Sequence, residues 1–139
     1  MKAALRSWVP ALLPLLALLL LLGIVGALKP SFVSALSLQT MAMQSVFVAL
    51  PALGMTFVVI AGGIDISIGS VVAFCAVACA WAVRDGAHPS LAALLATVIG
   101  GTFGLANGLL VTRLAVAPFL VTLGTMGIAR GLAKRVAED

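Results

Sequence analysis

The chain has 139 residues, 63% of them hydrophobic and 9% charged, and eight basic against four acidic side chains give a net charge of +4. A soluble domain carries about 45–50% apolar and about 25% charged residues, so this balance excludes a water-soluble enzyme or binding module. Most basic residues stand at the ends of apolar runs, which is topology information for a membrane protein and not a nucleic-acid footprint.

Lys2 and Arg6 precede an apolar run over residues 8–28, whose 21 residues would be about 31 Å long as a helix, enough to cross the hydrocarbon core. The run is too long for a signal peptide and has no A-x-A site before Lys29. Pro10 and Pro14 are placed in its first turns, where proline is tolerated best. Ser34–Gln39 reads as a mildly polar connector. A second span is expected over 41–61, interrupted by Pro51, which should bend it.

The stretch that follows, Thr56–Ser70, breaks apolar sequence with glycines and one acid. Asp65 is the only acid between Met1 and Arg84. Gly62 and Gly63 permit the positive φ that stops a helix, and Asp65 or Ser67 is placed to cap the next one. A carboxylate at membrane depth costs about 2.5–3.5 kcal/mol on insertion scales, so such residues face protein or a water-filled cavity. Asp65 therefore carries two compatible readings, a helix cap and a functional site built on a broken helix. A phosphate-loop reading fails, because Gly63 and Gly69 have the wrong spacing and no lysine follows.

A third span is expected over 66–83, closed by the polar loop Arg84, Asp85, Gly86, His88 and Pro89. Cys75 and Cys79 lie one turn apart with no histidine nearby and read as small hydrophobes, and His88 reads as a solvated loop residue. The fourth span, 91–112, places Ala92, Ala96, Gly100, Gly104, Gly108 and Thr112 on one face at intervals of four. Such small-x-x-x-small faces let membrane helices pack closely, here against another helix of this chain, as expected first, or against a second subunit. Asn107 on the same helix needs a polar partner in the bundle.

Residues 116–129 form a fifth apolar segment of 14 residues, about 21 Å as a helix, too short to span. With Pro118, Thr122, Gly124, Thr125 and Gly127 it is expected to be re-entrant or broken. With a cytoplasmic N-terminus, three basic residues lie inside and five outside if the fifth segment crosses, and six and two if it does not, so the positive-inside rule prefers a fifth segment that does not cross or a reversed orientation. The expected architecture is all-α, one polytopic transmembrane domain over 1–139 with four spans and a short fifth helix.

GGIDISIGS, together with ANGLLVTRLAVAPFLVTLGTMGIARGLA, resembles the permease subunit of bacterial monosaccharide ABC importers, the ribose, xylose and arabinose group. Gly62, Gly63, Asp65, Ser67, Gly69 and Ser70 match the first family motif. Asn107, Gly108, Thr112, Pro118, Phe119, Thr122, Gly124, Ala129, Arg130 and Gly131 match the second. The resemblance implies an inner-membrane permease component with no cofactor or metal. It also implies a separate cytoplasmic ATPase, a periplasmic sugar-binding protein and a second permease subunit as partners, and alternating access as the mechanism. Gly62, Gly63, Asp65, Ser67, Gly69 and Asn107 are its signature or pathway candidates, and Ala96, Gly100, Gly104 and Gly108 its packing face. Branched-chain amino-acid permeases are more distant relatives. Family members run about twice this length or more and continue in apolar sequence where this chain turns to Lys134–Asp139, so a truncated permease is expected. The alternative is a small non-transporting membrane protein or an inactive remnant.

Overall fold

The computed structural model describes residues 2–138, with side chains described from residue 12 onward. The charge markers Lys2 and Arg6 fall on side chains outside the described residues. The elements are α1 (Lys2–Leu28), a short 3-10 turn (Pro30–Val33), α2 (Ala35–Ile60), α3 (Ile68–Arg84), α4 (Pro89–Thr112) and α5 (Pro118–Glu138). Among the described residues there is no strand. The chain divides into two compact units, Met1–Ala49 and Leu50–Asp139, the boundary falling within α2.

In the first unit α1 begins at Lys2, so Pro10 and Pro14 lie in the helix interior and not in its first turns. Ser34–Gln39 is likewise not a free connector. The Ser34 hydroxyl accepts from the Ser37 amide at 3.3 Å, and the Ser37 hydroxyl donates to the Ser31 carbonyl at 2.9 Å. A serine that satisfies an orphan amide starts a helix where it stands, so Ala35–Gln39 is the first turn of α2. Large apolar side chains are mostly exposed here, Phe47 at 76% among them.

In the second unit, α3 packs against both α4 and α5. Phe74 and Phe103 meet edge to face with centroids 6.0 Å apart, and a Cβ at Gly100 would lie 3.5 Å from the Cys75 sulfur. Ser67 pairs with Asn107, so numbering rises along α3 as it falls along α4 and the two are antiparallel. α5 runs parallel to α3, with Thr122 beside Ile64 and Ile66 and Val136 beside Trp81 and Arg84.

The fifth helix is neither short nor broken. It runs unbroken for 21 residues to Glu138, through Gly124, Gly127 and Gly131. Glycine weakens a helix by about 1 kcal/mol at each position, but a helix packed along a neighbour tolerates this. The segment ended too early in the sequence reading because apolarity stops near Ala129, whereas helical hydrogen bonding continues through Lys134 and Arg135.

Among the described residues two helices, α2 and α4, are long and apolar enough to cross a membrane, and they correspond to the expected spans 41–61 and 91–112. α3 and the described part of α1 are apolar but shorter. What is buried is small and half polar: Ala78, Ala82, Ala92, Val121 and Ala129 with Ser67, Ser70, Asn107, Thr122 and Thr125. The large hydrophobes lie outside, Ile60 at 79% exposure. Water would not tolerate that much exposed apolar surface, whereas lipid does not penalise it and small residues then form the helix contacts. The hydroxyls of Thr40, Ser45, Thr56, Thr97, Thr102 and Thr112 each donate to the carbonyl four residues back, which removes the cost of leaving them unpaired in an apolar surrounding.

Candidate functional site: a polar chain at the start of α3

The break between α2 and α3 is made by two glycines with different tasks. The Gly63 amide donates to the Val58 carbonyl and the Gly62 amide to the Val59 carbonyl, both at 2.9 Å, with Gly62 at φ 78°. This is a Schellman stop, which needs a left-handed residue at the position of Gly62. Gly63 sits tightly: a Cβ there would lie 3.2 Å from Val58 Cγ1 and 3.4 Å from the Val58 carbonyl oxygen, so Val58 would have to shift by a few tenths of an ångström to admit one. The same stop recurs at Gly86, φ 93°, after α3.

Asp65 follows in the extended link. Its Oδ1 accepts from the Ser67 amide at 2.7 Å and the Ser67 hydroxyl at 2.6 Å. Ser67 occupies the N-cap position of α3, but its own side chain makes no capping bond. The cap reading therefore falls to Asp65, which holds the backbone at the entry to the helix. Ser67, 1% exposed, accepts in turn from Asn107 Nδ2 at 3.3 Å, and Asn107 Oδ1 accepts from the Thr125 hydroxyl. Thr125 to Asn107 to Ser67 to Asp65 is thus a one-way chain of donors ending on a carboxylate, drawn from α5, α4 and the start of α3. Thr122 clamps the link beside it, its hydroxyl accepting from the Ile66 amide at 3.3 Å and lying 3.4 Å from the Ile64 carbonyl.

In front of this chain is a cavity of about 350 Å³, bordered by Gly62, Gly63, Asp65, Gly104, Asn107 and Gly108, with Thr112, Pro118 and Thr122 also on its wall. Only Oδ1 of Asp65 is engaged among the described residues, so Oδ2 remains free to accept. Of the residues singled out from the sequence, Gly62, Gly63, Asp65, Asn107, Gly104 and Gly108 meet here, with Ser67 behind. Gly69 does not; it borders a separate cleft between α3 and α5. The small-residue face of α4 divides in function. Ala92 is fully buried and Gly100 meets Cys75, whereas a Cβ at Gly104 or Gly108 would meet nothing within 4 Å. Ala96 is half-buried and off the cavity.

Thr125 carries part of the site but was read from the sequence only as a sign of a broken segment. Its signal was the spacing of Thr122, Thr125 and Ala129, one face of a helix. His88 caps α4, its ring accepting from the Ser90 amide at 3.4 Å. Both cysteines are free thiols, and among the described residues no three His, Cys, Asp or Glu side chains gather as a metal set. The site can accept and donate hydrogen bonds to a neutral polar ligand.

A family described as branched-chain amino acid transport system / permease component matches residues 37–138, the whole of the second unit's described helices included. The chain belongs to this permease family. Among individual relatives it is similar to the ribose import permease protein of Bacillus subtilis, 42% identical over 119 residues, which cover 86% of this chain and 37% of the relative. It is 40% identical to an inner membrane ABC transporter permease protein of Escherichia coli, over 79% of this chain and 34% of the relative. The fructose import permease protein of Bifidobacterium longum is 30% identical over 96% of this chain and 39% of its own length. This permease sequence thus spans a little over a third of the length of the curated relatives it matches. No solved structure matches it significantly.

Proposed function

We propose that the chain is part of the permease component of an ABC-type importer for a monosaccharide and contributes to its translocation pathway in a bacterial inner membrane. The observation that carries the reading is the convergence in space of the two motifs. Asp65 from the first, and Asn107 and Thr122 from the second, border one cavity, although 42 and 57 residues separate them in sequence from Asp65. A sugar hydroxyl needs matched donors and acceptors, and the unengaged Asp65 oxygen and the Asn107 amide supply both. The Gly62 break in the backbone puts that carboxylate at the junction of two apolar helices, as in transporter sites built from discontinuous helices. The energy comes from a separate cytoplasmic ATPase, the sugar from a periplasmic binding protein, and the pathway is completed with a second permease subunit.

Orientation follows from the basic residues of the second unit. Because α5 runs along α3 and brings Val136 beside Trp81 and Arg84, Arg135 lies toward the Arg84 end and Arg113 at the other, so the positive-inside rule favours the Arg84 end in the cytoplasm.

The test is ribose uptake by a strain lacking its own permease but retaining the ATPase and binding protein, with residues 37–133 of this chain replacing the matching third of the ribose permease. Uptake is expected, and Asp65→Asn in the same hybrid is expected to abolish it while leaving membrane insertion intact. A hybrid that inserts normally and transports nothing contradicts the reading and leaves the small non-transporting membrane protein. Unchanged uptake in Asp65→Asn reduces the carboxylate to a helix cap.

A further inference from the structure

The wall of the Asp65 cavity has few side-chain protons to offer. A carboxylate at Asp65 can only accept. Of the two hydroxyls on the wall, Thr112 donates to the Gly108 carbonyl at 2.7 Å and Thr122 to the Phe119 carbonyl at 3.3 Å. No basic side chain borders the cavity among the described residues. The spare proton therefore belongs to Asn107, whose Nδ2 carries two and gives one to Ser67. Whether a side chain of this wall can donate to a ligand depends on which end of the Asn107 amide is turned toward it.

That orientation is set from both sides of Asn107. The Ser67 proton goes to Asp65 at 2.6 Å, so the Ser67 oxygen keeps only lone pairs and accepts from Nδ2. Oδ1 is thereby turned away from Ser67 and needs a donor of its own, which Thr125 supplies from α5. Thr125 is only 8% exposed and does not border the cavity, so it acts on a ligand there only through Asn107. Every other threonine of the chain donates to a backbone carbonyl. Thr125 has the Val121 carbonyl one turn back on the same helix, yet its proton goes to a side chain.

We propose that Thr125 is a positioning residue of the Asp65 cavity: by donating to Oδ1 it holds the Asn107 amide with its nitrogen toward Ser67 and the ligand, so that a donor stands beside the free Asp65 oxygen. The role rests on reading this cavity as part of a sugar pathway. Without the Thr125 proton, Oδ1 finds donors only in the water of the cavity, and turning there takes Nδ2 off Ser67. Asn107 is the sole asparagine of the chain, so heavy nitrogen placed in asparagine side chains gives a single pair of amide proton signals. The full chain labelled in this way, in detergent micelles, is examined by NMR for Overhauser contacts between those protons and the Ser67 β-protons. The contact is expected in the unsubstituted chain and in Thr125→Ser, and is expected to be lost in Thr125→Val, which keeps the shape and removes the hydroxyl. In the ribose permease hybrid, Thr125→Val is expected to lower uptake by about tenfold at unchanged membrane insertion, the cost of one unmade buried hydrogen bond, and Thr125→Ser to restore it. A contact that survives in Thr125→Val, or uptake in that variant equal to the unsubstituted hybrid, overturns the proposal. So does absence of the contact in the unsubstituted chain, a result that stands even if Thr125→Val misfolds. An unsubstituted hybrid without uptake contradicts the pathway reading alone, and the contact then still decides whether Thr125 holds the amide.

Discussion

At the level of single residues, Asn107 is the hinge of the polar chain, since it alone has both a donor and an acceptor to join Thr125 to Ser67. Asn107→Ala leaves the Thr125 hydroxyl without its acceptor and removes a donor from Ser67, at a cost of about 1–3 kcal/mol. Equilibrium unfolding in detergent should show that loss, and an unchanged midpoint would mean water replaces the amide. Gly62 is a separate case because its constraint is conformational. Gly62→Ala at φ 78° should destabilise by about 1–2 kcal/mol although open space surrounds the position, and the same unfolding assay reads it. The acid and the glycines were legible because each breaks an apolar pattern. Thr125 was not, since a threonine in a weakly apolar segment is as compatible with a loop as with a buried partner.

At the level of helices, the four-residue repeat on α4 was visible in the sequence, but its division was not. Ala92 and Gly100 belong to the packed half, and Gly104 and Gly108 to the cavity: a Cβ at Gly100 would meet Cys75 of α3, whereas one at Gly104 or Gly108 would meet nothing within 4 Å. Gly100→Leu should drive into Cys75 and separate α3 from α4, losing helicity or expression. Gly104→Leu should fold normally while filling the cavity. Circular dichroism and yield of the two variants distinguish these outcomes, and equal tolerance would contradict the packing. The helix ends were misread where polar residues continue a helix. α2 begins six residues before the expected span because serines cap it, and α5 continues nine residues beyond Ala129 because charged side chains are good helix formers.

At the level of the molecule, the inverted distribution of side chains, small and polar within, large and apolar without, is what composition alone indicated. How the polar chain is placed between the helices depended on contacts between residues far apart in sequence. The account rests on the Asp65 cavity being wet while the opposite side of α4 faces lipid. With Cys75 and Cys79 replaced by alanine, Gly104→Cys and Leu105→Cys sit side by side on the same helix, one on the cavity and one 64% exposed on an apolar surface. The decisive measurement is the reaction of each with a membrane-impermeant, water-soluble maleimide in native membranes. The account predicts that Gly104→Cys is labelled and Leu105→Cys is not; an inert Gly104→Cys, or equal labelling of the two, contradicts it.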